Sequence, residues 1–284
     1  MNVSLYDFKS FAMRMLNSKM IKGYDPSTGK DLFDLSKLQS CIVRNILKYK
    51  DQFAGAVEHY VCTDGSMYWR KDYYPDYKIS RVQRKLEYNI DWEEYDSECA
   101  STLMTLSEMG FNILEFQNLE ADDIIASIVR GTPHKFIIFS ADHDYYQLVE
   151  KARVSLYNTR DDRFVTLDIS PKEYLFNAIF TGQKKDDIPN IMTPLDHEVG
   201  RCPGFGPKAW EKVKNMGMMN WLNENKEKIL VLNKMENATK YPLLQIEKND
   251  AYERYVANRI LVDMDLVLTK GYGDQVLNSV ARLI

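Results

Sequence analysis

Two acidic knots, Glu120-Ala-Asp-Asp123 and Ser140-Ala-Asp-His-Asp144, stand about one βα unit apart in the chain. Carboxylates packed at that density cannot all stay ionised without cations between them. Oxygen donors of this kind suit hard divalent ions, Mg2+ or Mn2+. Either knot alone is better read as an acidic helix start or a polar loop. Two of them at strand ends in one βαβ unit favour the metal.

The elements between the knots must aim them. Residues 124–129 form an apolar helix, Gly131-Thr-Pro133 a turn, and Lys135-Phe-Ile-Ile-Phe139 a short apolar run expected to be a buried parallel strand. Side chains alternate along a strand, so Asp142 and Asp144 are expected on one face at the carboxyl edge of the sheet. Open α/β sheets bind their ligands at that edge. Glu120 and Asp122 open the helix, where unpaired amides favour anions. The same pattern recurs upstream. Residues 3–7 read as a strand ending at Asp7, and 56–62 as a strand ended by Thr63-Asp64-Gly65. Three strand-end acids point to one site above one sheet.

Between these strands, a helix is expected over 8–16 and a loop over 23–29. Leu35, Leu38, Ile42, Ile46 and Leu47 then recur at helical spacing after the candidate caps Asp34 and Ser36. Residues 68–85 carry six basic residues interleaved with four tyrosines and a tryptophan, a composition that can neutralise phosphates and stack on unpaired bases. The plainer reading of that run is a solvated amphipathic connection. Residues 82–110 read as helical and exposed, with Trp92, Tyr95 and Leu103 as core contacts. A hairpin is expected from 154–157 and 164–167 around Arg160-Asp-Asp-Arg163, and a helix from 172 to 180. The loop 182–189 delivers Asp186 towards the acids. A loop over 192–199 leads to Gly200-Arg-Cys-Pro-Gly-Phe-Gly-Pro-Lys208 and a helix over 209–215. Gly204 and Gly206 there permit close backbone approach to a DNA phosphate. The remainder reads as helical, with Met218, Met219, Trp221 and Leu222 in its core and 260–263 packing back on the preceding domain.

With 284 residues, 45% hydrophobic and 12% aromatic, the chain can bury one large domain or a large and a small one. It has no apolar run long enough to span a membrane and no signal-peptide pattern at its start, so a cytoplasmic protein is expected. Cys41, Cys62, Cys99 and Cys202 are far apart and read as free thiols. The net charge of −4 does not exclude a polyanionic partner. Setting aside Asp7, Asp64, Glu120, Asp122, Asp123, Asp142, Asp144 and Asp186 leaves a remainder of +4.

Taken in order and with their separations, Glu120-Ala-Asp-Asp123, Ser140-Ala-Asp-His-Asp144, the 182–188 loop and Pro203-Gly-Phe-Gly-Pro-Lys208 resemble the 5′-nuclease (flap endonuclease, 5′–3′ exonuclease) family. Asp7-Phe-Lys-Ser and the Tyr-Trp-Arg-Lys-Asp run look closest to the ribonuclease H-type nucleases of T-even phages. The resemblance implies an α/β fold with a mostly parallel central sheet flanked by helices, a helical arch over about 68–110 and a C-terminal helical DNA-binding region. The catalytic domain would span 1–180 and the DNA-binding region 181–284, with its hairpin at 200–214. It implies metal-dependent hydrolysis of phosphodiesters at the 5′ ends of branched, nicked or RNA-primed duplexes, in phage replication and primer removal.

Carried over by position, the resemblance assigns one metal to Asp7, Asp64, Glu120, Asp122 and Asp142, and a second to Asp144 and Asp186. Asp123 stands with the metal-site acids. Lys78 and Arg81 match scissile-phosphate contacts, with Asp122 and Asp142 as the central catalytic acids. DNA contacts fall to Arg70, Lys71, Tyr77, Arg84, Lys85, Gly204, Gly206 and Lys208, with K+ at the 202–208 hairpin. Replication proteins are implied partners, the chain acting as a monomer in the host cytoplasm. His143 is expected to pack or face solvent. One departure stands out. Gln183 occupies a position where the family usually has an acid, and Asp187 one where it usually has asparagine. Two other readings are a branched-DNA-binding protein of weak activity and a PIN-like ribonuclease; residues 200–214 argue against the second.

Overall fold

The computed structural model describes residues 1–191, 193, 211, 214–215 and 250–281. The expectations for the 192–199 loop (Thr193 apart), the 200–208 hairpin with its K+, and the 218–222 core lie outside these residues.

The chain forms two compact units. The first comprises Met1–Trp69, Arg84–Pro171 and Met264–Ile284, and the second Arg70–Gln83 with Lys172–Asp263. This division differs from the expected boundary at 180–181.

The first unit is built on a six-stranded sheet. In chain order its strands are β1 (Asn2–Asp7), β4 (Glu58–Cys62), β5 (Asn112–Leu114), β6 (Lys135–Ser140), β7 (Val154–Asn158) and β8 (Arg163–Phe164), arranged β5-β4-β1-β6-β7-β8. All neighbours run parallel except β7 and β8, the expected hairpin. Burial on both faces explains why β6 reads as a continuous apolar run. The side chains still alternate. Tyr6, Val61, Phe139 and Tyr157 join the core under α1 (Phe8–Leu16), α2 (Leu38–Gln52) and α4 (Trp92–Glu108). Tyr6 and Phe139 stack there at 4.8 Å across adjacent strands. The alternate positions Leu5, Tyr60, Ile138 and Leu156 are also buried, which places them on the other face. On that side α5 (Ala121–Gly131) packs against β1 and β4, and α8 (Leu266–Thr269) and α9 (Asp274–Ser279) close over α5. Gly131 and Gly273 allow this closure, because a Cβ on either would lie under 2.6 Å from Leu277 or Leu268.

Four expectations are corrected. Residues 23–29 are not a simple loop but the inside of an antiparallel hairpin, β2 (Lys22–Asp25) and β3 (Lys30–Phe33). The second helix starts at Leu38, after a 3₁₀ turn over Leu35–Lys37, and the Asp34 carboxylate meets Ser36 Oγ and Lys37 Nζ instead of capping it. The strand before Asp142 stops at Ser140, and a 3₁₀ turn follows over His143–Leu148. Asp142 and Asp144 therefore do not share a strand face; Asp142 caps a turn that carries Asp144. Residues 260–263 lie at the end of α7 (Asp250–Val262) in the second unit, while the chain from Met264 onward packs in the first. Trp92, Tyr95 and Leu103 do enter the core. No helix of the described residues is long and apolar enough to cross a membrane.

Candidate metal centre

Register in the sheet brings the acids together. Asp7 is the last residue of β1 and pairs with Cys62, the last of β4. Two residues further on, Asp64 leaves β4, and Asp142 leaves β6, which flanks β1 on its other side. The carboxyl ends of three adjacent strands thus each release an acid at one edge.

Serines hold the first of these. Asp7 caps α1, its Oδ1 accepting from Ser10 N at 3.2 Å, while its Oδ2 accepts from Ser140 Oγ at 2.7 Å. Ser140 Oγ also accepts from Asp142 N at 3.0 Å, and Ser10 Oγ accepts from Ala141 N at 2.9 Å. These serines are positioning residues that the acidic pattern did not flag. The Asp7-x-x-Ser10 spacing of a helix cap was the available signal.

Asp64 is fastened to the acidic helix. Its Oδ1 accepts from Ala121 N at 2.9 Å, and its Oδ2 from Lys9 Nζ at 3.1 Å. The turn after it needs glycine for close approach. Gly65 N donates to Leu119 O, and a Cβ at residue 65 would lie 2.0 Å from Phe116 O. Glu120 is the N-cap of α5, and Asp123 closes a capping box by accepting from Glu120 N. Oxygens of Glu120, Asp122 and Asp123 lie within 4.8 Å of one another. Asp123 is fully buried, and its Oδ2 also accepts from Trp69 Nε1 at 3.1 Å, which anchors the start of the helix. Asp142 Oδ1 accepts from Asp144 N at 3.0 Å, and His143 is exposed and stacked on Tyr146.

The electrostatics reveal how concentrated this charge is. Burial, with the charges of Asp64 and Asp142 adding to it, lifts the Asp7 carboxyl from 3.8 to about 6 despite the two hydrogen bonds it accepts. Tyr145, buried beside the cluster, has its phenol raised well above 10.0 by burial and then by Asp7, Asp122 and Asp142. One phenol thus senses acids from three elements. The donors are all carboxylate oxygens, and their mutual repulsion is what a bound divalent cation would relieve, so the residues fit Mg2+ or Mn2+.

A stability prediction follows from Asp7. Its folded pKa lies above the unfolded value, so from about pH 4 to 6 the folded state holds a proton the unfolded chain has lost. Stability in EDTA should therefore fall as pH rises through that window, by about 3 kcal/mol in all. Urea midpoints measured across it should drop more for the wild-type chain than for Asp7→Asn. Parallel curves would mean that Asp7 does not carry this proton.

The second unit holds Arg70–Gln83 of the basic run and the 182–189 loop, while Arg84 and Lys85 belong to the first. Lys78 is mostly buried, with its Nζ 4.8 Å above the Tyr77 ring. Its N–H donates to Asp186 O at 3.0 Å, and Arg81 Nη2 pairs with Asp186 Oδ1. Asp186 is itself buried. Gln183 exchanges backbone hydrogen bonds with Ile188, pinching the loop, and Gly182 sits at φ +69° where a Cβ would meet Ile188 O at 2.4 Å.

Two expected DNA contacts are corrected here. Arg70 is 1% exposed and donates from Nε to Leu261 O at 2.9 Å, so its guanidinium serves the interior of the unit. Tyr77 is 3% exposed and offers no face for a base. Lys71, Arg84 and Lys85 are exposed, Lys85 Nζ lying 4.7 Å from the Trp92 ring. Gly204, Gly206 and Lys208 lie outside the described residues.

Comparison with known proteins adds four findings. The profile of the family described as "5'-3' exonuclease, N-terminal resolvase-like domain" matches residues 5–175. Ribonuclease H of Enterobacteria phage T4 is 25% identical over 275 residues, covering 93% of this chain and 82% of that one. Among solved structures, the 5'-exonuclease of T5 with bound divalent zinc ions superposes with a TM-score of 0.70 at 17% identity, over 100% of this chain and 99% of that one. The T5 D15 flap endonuclease, in a pseudo-enzyme–product complex with DNA and metal ions, gives 0.69 at 16% identity over the same shares. At these identities the structural likenesses establish the fold.

Proposed function

The chain belongs to the family of 5′–3′ exonuclease N-terminal domains, and from that membership we propose that it is a divalent-metal-dependent 5′-nuclease hydrolysing phosphodiesters at the 5′ ends of flapped, nicked or RNA-primed duplexes. The observation that carries this reading is the set of acids released by three adjacent parallel strands, Asp7, Asp64 and Asp142, met by Glu120 and Asp122 at the start of α5. Two ions, Mg2+ or Mn2+, would supply an activated water and charge stabilisation for the leaving 3′-oxygen. Asp7, Asp64, Glu120, Asp122 and Asp142 would hold the first, with Asp123 bracing the helix start beneath them; Asp144 and Asp186 would hold the second.

The chain's own groups do the rest. Ser10 and Ser140 fix Asp7, the Ala121 amide fixes Asp64, and Asp142 is fixed by the turn it caps. Lys78 and Arg81 offset charge developing on the scissile phosphate. Lys71, Arg84 and Lys85 draw the phosphate backbone in a salt-dependent way. Gly204, Gly206 and Lys208 are assigned to the duplex, with K+ in that hairpin. We place the chain, as a monomer, in phage replication and primer removal in the host cytoplasm, where its thiols stay reduced; Cys41, Cys62 and Cys99 are unbridged. Replication proteins are its proposed protein partners.

The test is a panel of 5′-labelled flap, nicked-duplex and RNA–DNA hybrid substrates with Mg2+ or EDTA. Release of 5′-terminal products with Mg2+ only is the expected result. Intact substrate throughout would overturn the reading.

A second measurement addresses Gln183. With one negative charge fewer than the family pattern, the second ion should bind about tenfold to a hundredfold more weakly. Cleavage should keep rising at Mg2+ concentrations that already saturate the first site, and Mn2+ should rescue it more effectively. Gln183→Asp should lower the Mg2+ requirement and leave the product pattern unchanged. An unaltered requirement would mean that Asp144 and Asp186 suffice.

A further inference from the structure

Lys78 lies in an irregular stretch between a 3₁₀ turn over Trp69–Asp72 and the helix that starts at Ser80 and carries Arg81. Lys78 sits at φ +59°, a left-handed conformation that a lysine adopts only when its surroundings fix it. What faces it is the 182–189 loop of the same unit. Asp187 is also left-handed, at φ +59°, directly after the 3₁₀ turn Lys184–Asp186. Its Oδ2 accepts from Ser80 N at 2.8 Å, at the first residue of α3 (Ser80–Glu87). Asp186 O accepts from Lys78 N in the same stretch. Two consecutive loop residues therefore grip two backbone amides, Lys78 N and Ser80 N, on the approach to Arg81. The Asp187 bond satisfies an amide that a helix start leaves without an intrahelical acceptor.

We propose that Asp187 is a positioning residue for the nuclease reaction: its carboxylate, bonded to Ser80 N, sets the turn that presents Lys78 and Arg81. It is therefore not a substitute metal ligand for the acid missing at Gln183. This rests on the nuclease reading above. The role needs an acceptor oxygen and no charge, so asparagine can fill it. Glycine removes the acceptor and suits the left-handed backbone, so the loop itself is not strained by the change.

The experiment compares wild type, Asp187→Gly and Asp187→Asn, each alone and with Arg81→Ala, on 5′-labelled flap DNA over a range of Mg2+. Hydrogen exchange of peptides covering 78–82 is followed in parallel. Asp187→Gly should lower kcat about tenfold through misplacement of the basic pair, with KM and the half-saturating Mg2+ unchanged. Asp187→Asn should return turnover to within about twofold of wild type, a criterion set by the tenfold loss it must rescue. In the Arg81→Ala background the glycine change should add less than it does alone, since the part of its effect that acts through Arg81 is already lost and only the part through Lys78 remains. Exchange at 78–82 should quicken in Asp187→Gly alone. The proposal is overturned if Asp187→Gly cleaves like wild type, if its exchange is unchanged, or if Asp187→Asn raises the Mg2+ requirement as a lost ligand would. A wild-type chain that cleaves nothing overturns the nuclease reading itself.

Discussion

Asp142→Asn should abolish Mg2+-dependent cleavage, lowering single-turnover rates by on the order of a thousandfold or more, which corresponds to about 4 kcal/mol of transition-state stabilisation. The substitution is informative because the local structure should survive it. Asp142 Oδ1 accepts from Asp144 N at the head of the 3₁₀ turn, and an asparagine Oδ1 can accept the same bond. Only the charge is lost. Asp122→Asn, in the first turn of α5, should behave alike. Duplex binding should stay level or tighten in both, since negative charge facing phosphate has been removed. Cleavage rates, gel-shift affinity and melting temperature measured together separate these effects. A rate near wild type, or a fall in rate matched by a fall in melting temperature, would sink the assignment of these carboxylates to the metal.

Arg81→Ala should cost about a hundredfold to a thousandfold in turnover, the range found when one donor to a developing anion is removed. It should also lower stability, because the partner it abandons, Asp186, is buried with its side chain 3% exposed. Removing one member of such a pair leaves an uncompensated buried charge. Arg81 is itself 40% exposed, so solvent screening makes the loss smaller than for a fully buried pair. Arg81→Lys keeps the charge and should recover stability more fully than turnover, since a lysine cannot reproduce the planar fork. Lys78→Ala should likewise depress turnover more than binding. Lys208→Ala should do the opposite, weakening binding and flattening its salt dependence by about one unit of slope. Equal effects on binding from all three changes would erase the division between chemistry and grip.

Local chemistry made much of this molecule legible in one dimension. Short runs that stop at or just before an acid read as strands followed by turns, and β1, β4 and β6 are such strands. The helix 8–16 and the capping acids of α5 follow equally from spacing, because caps and period depend on residues a few positions apart. That these strands are parallel was already implied by helices between them.

Only the tertiary structure decided what each polar side chain faces. Arg70 reads as one basic residue among six, yet its partner is Leu261 O, 191 residues away, and that contact removes it from the surface. Tyr77 is buried as well. Ser140 read only as the first residue of an acidic knot, and became the bridge between Asp7 and Asp142 only once β1 and β6 lay side by side. Asp187 read as an acid where the family usually has asparagine, until folding set it against the amide of Ser80. The physical reason is common to all four. Periodicity and turn chemistry are fixed by neighbours along the chain, whereas desolvation and hydrogen-bond pairing are fixed by whichever groups folding brings within about 3 Å, and sequence separation does not record that.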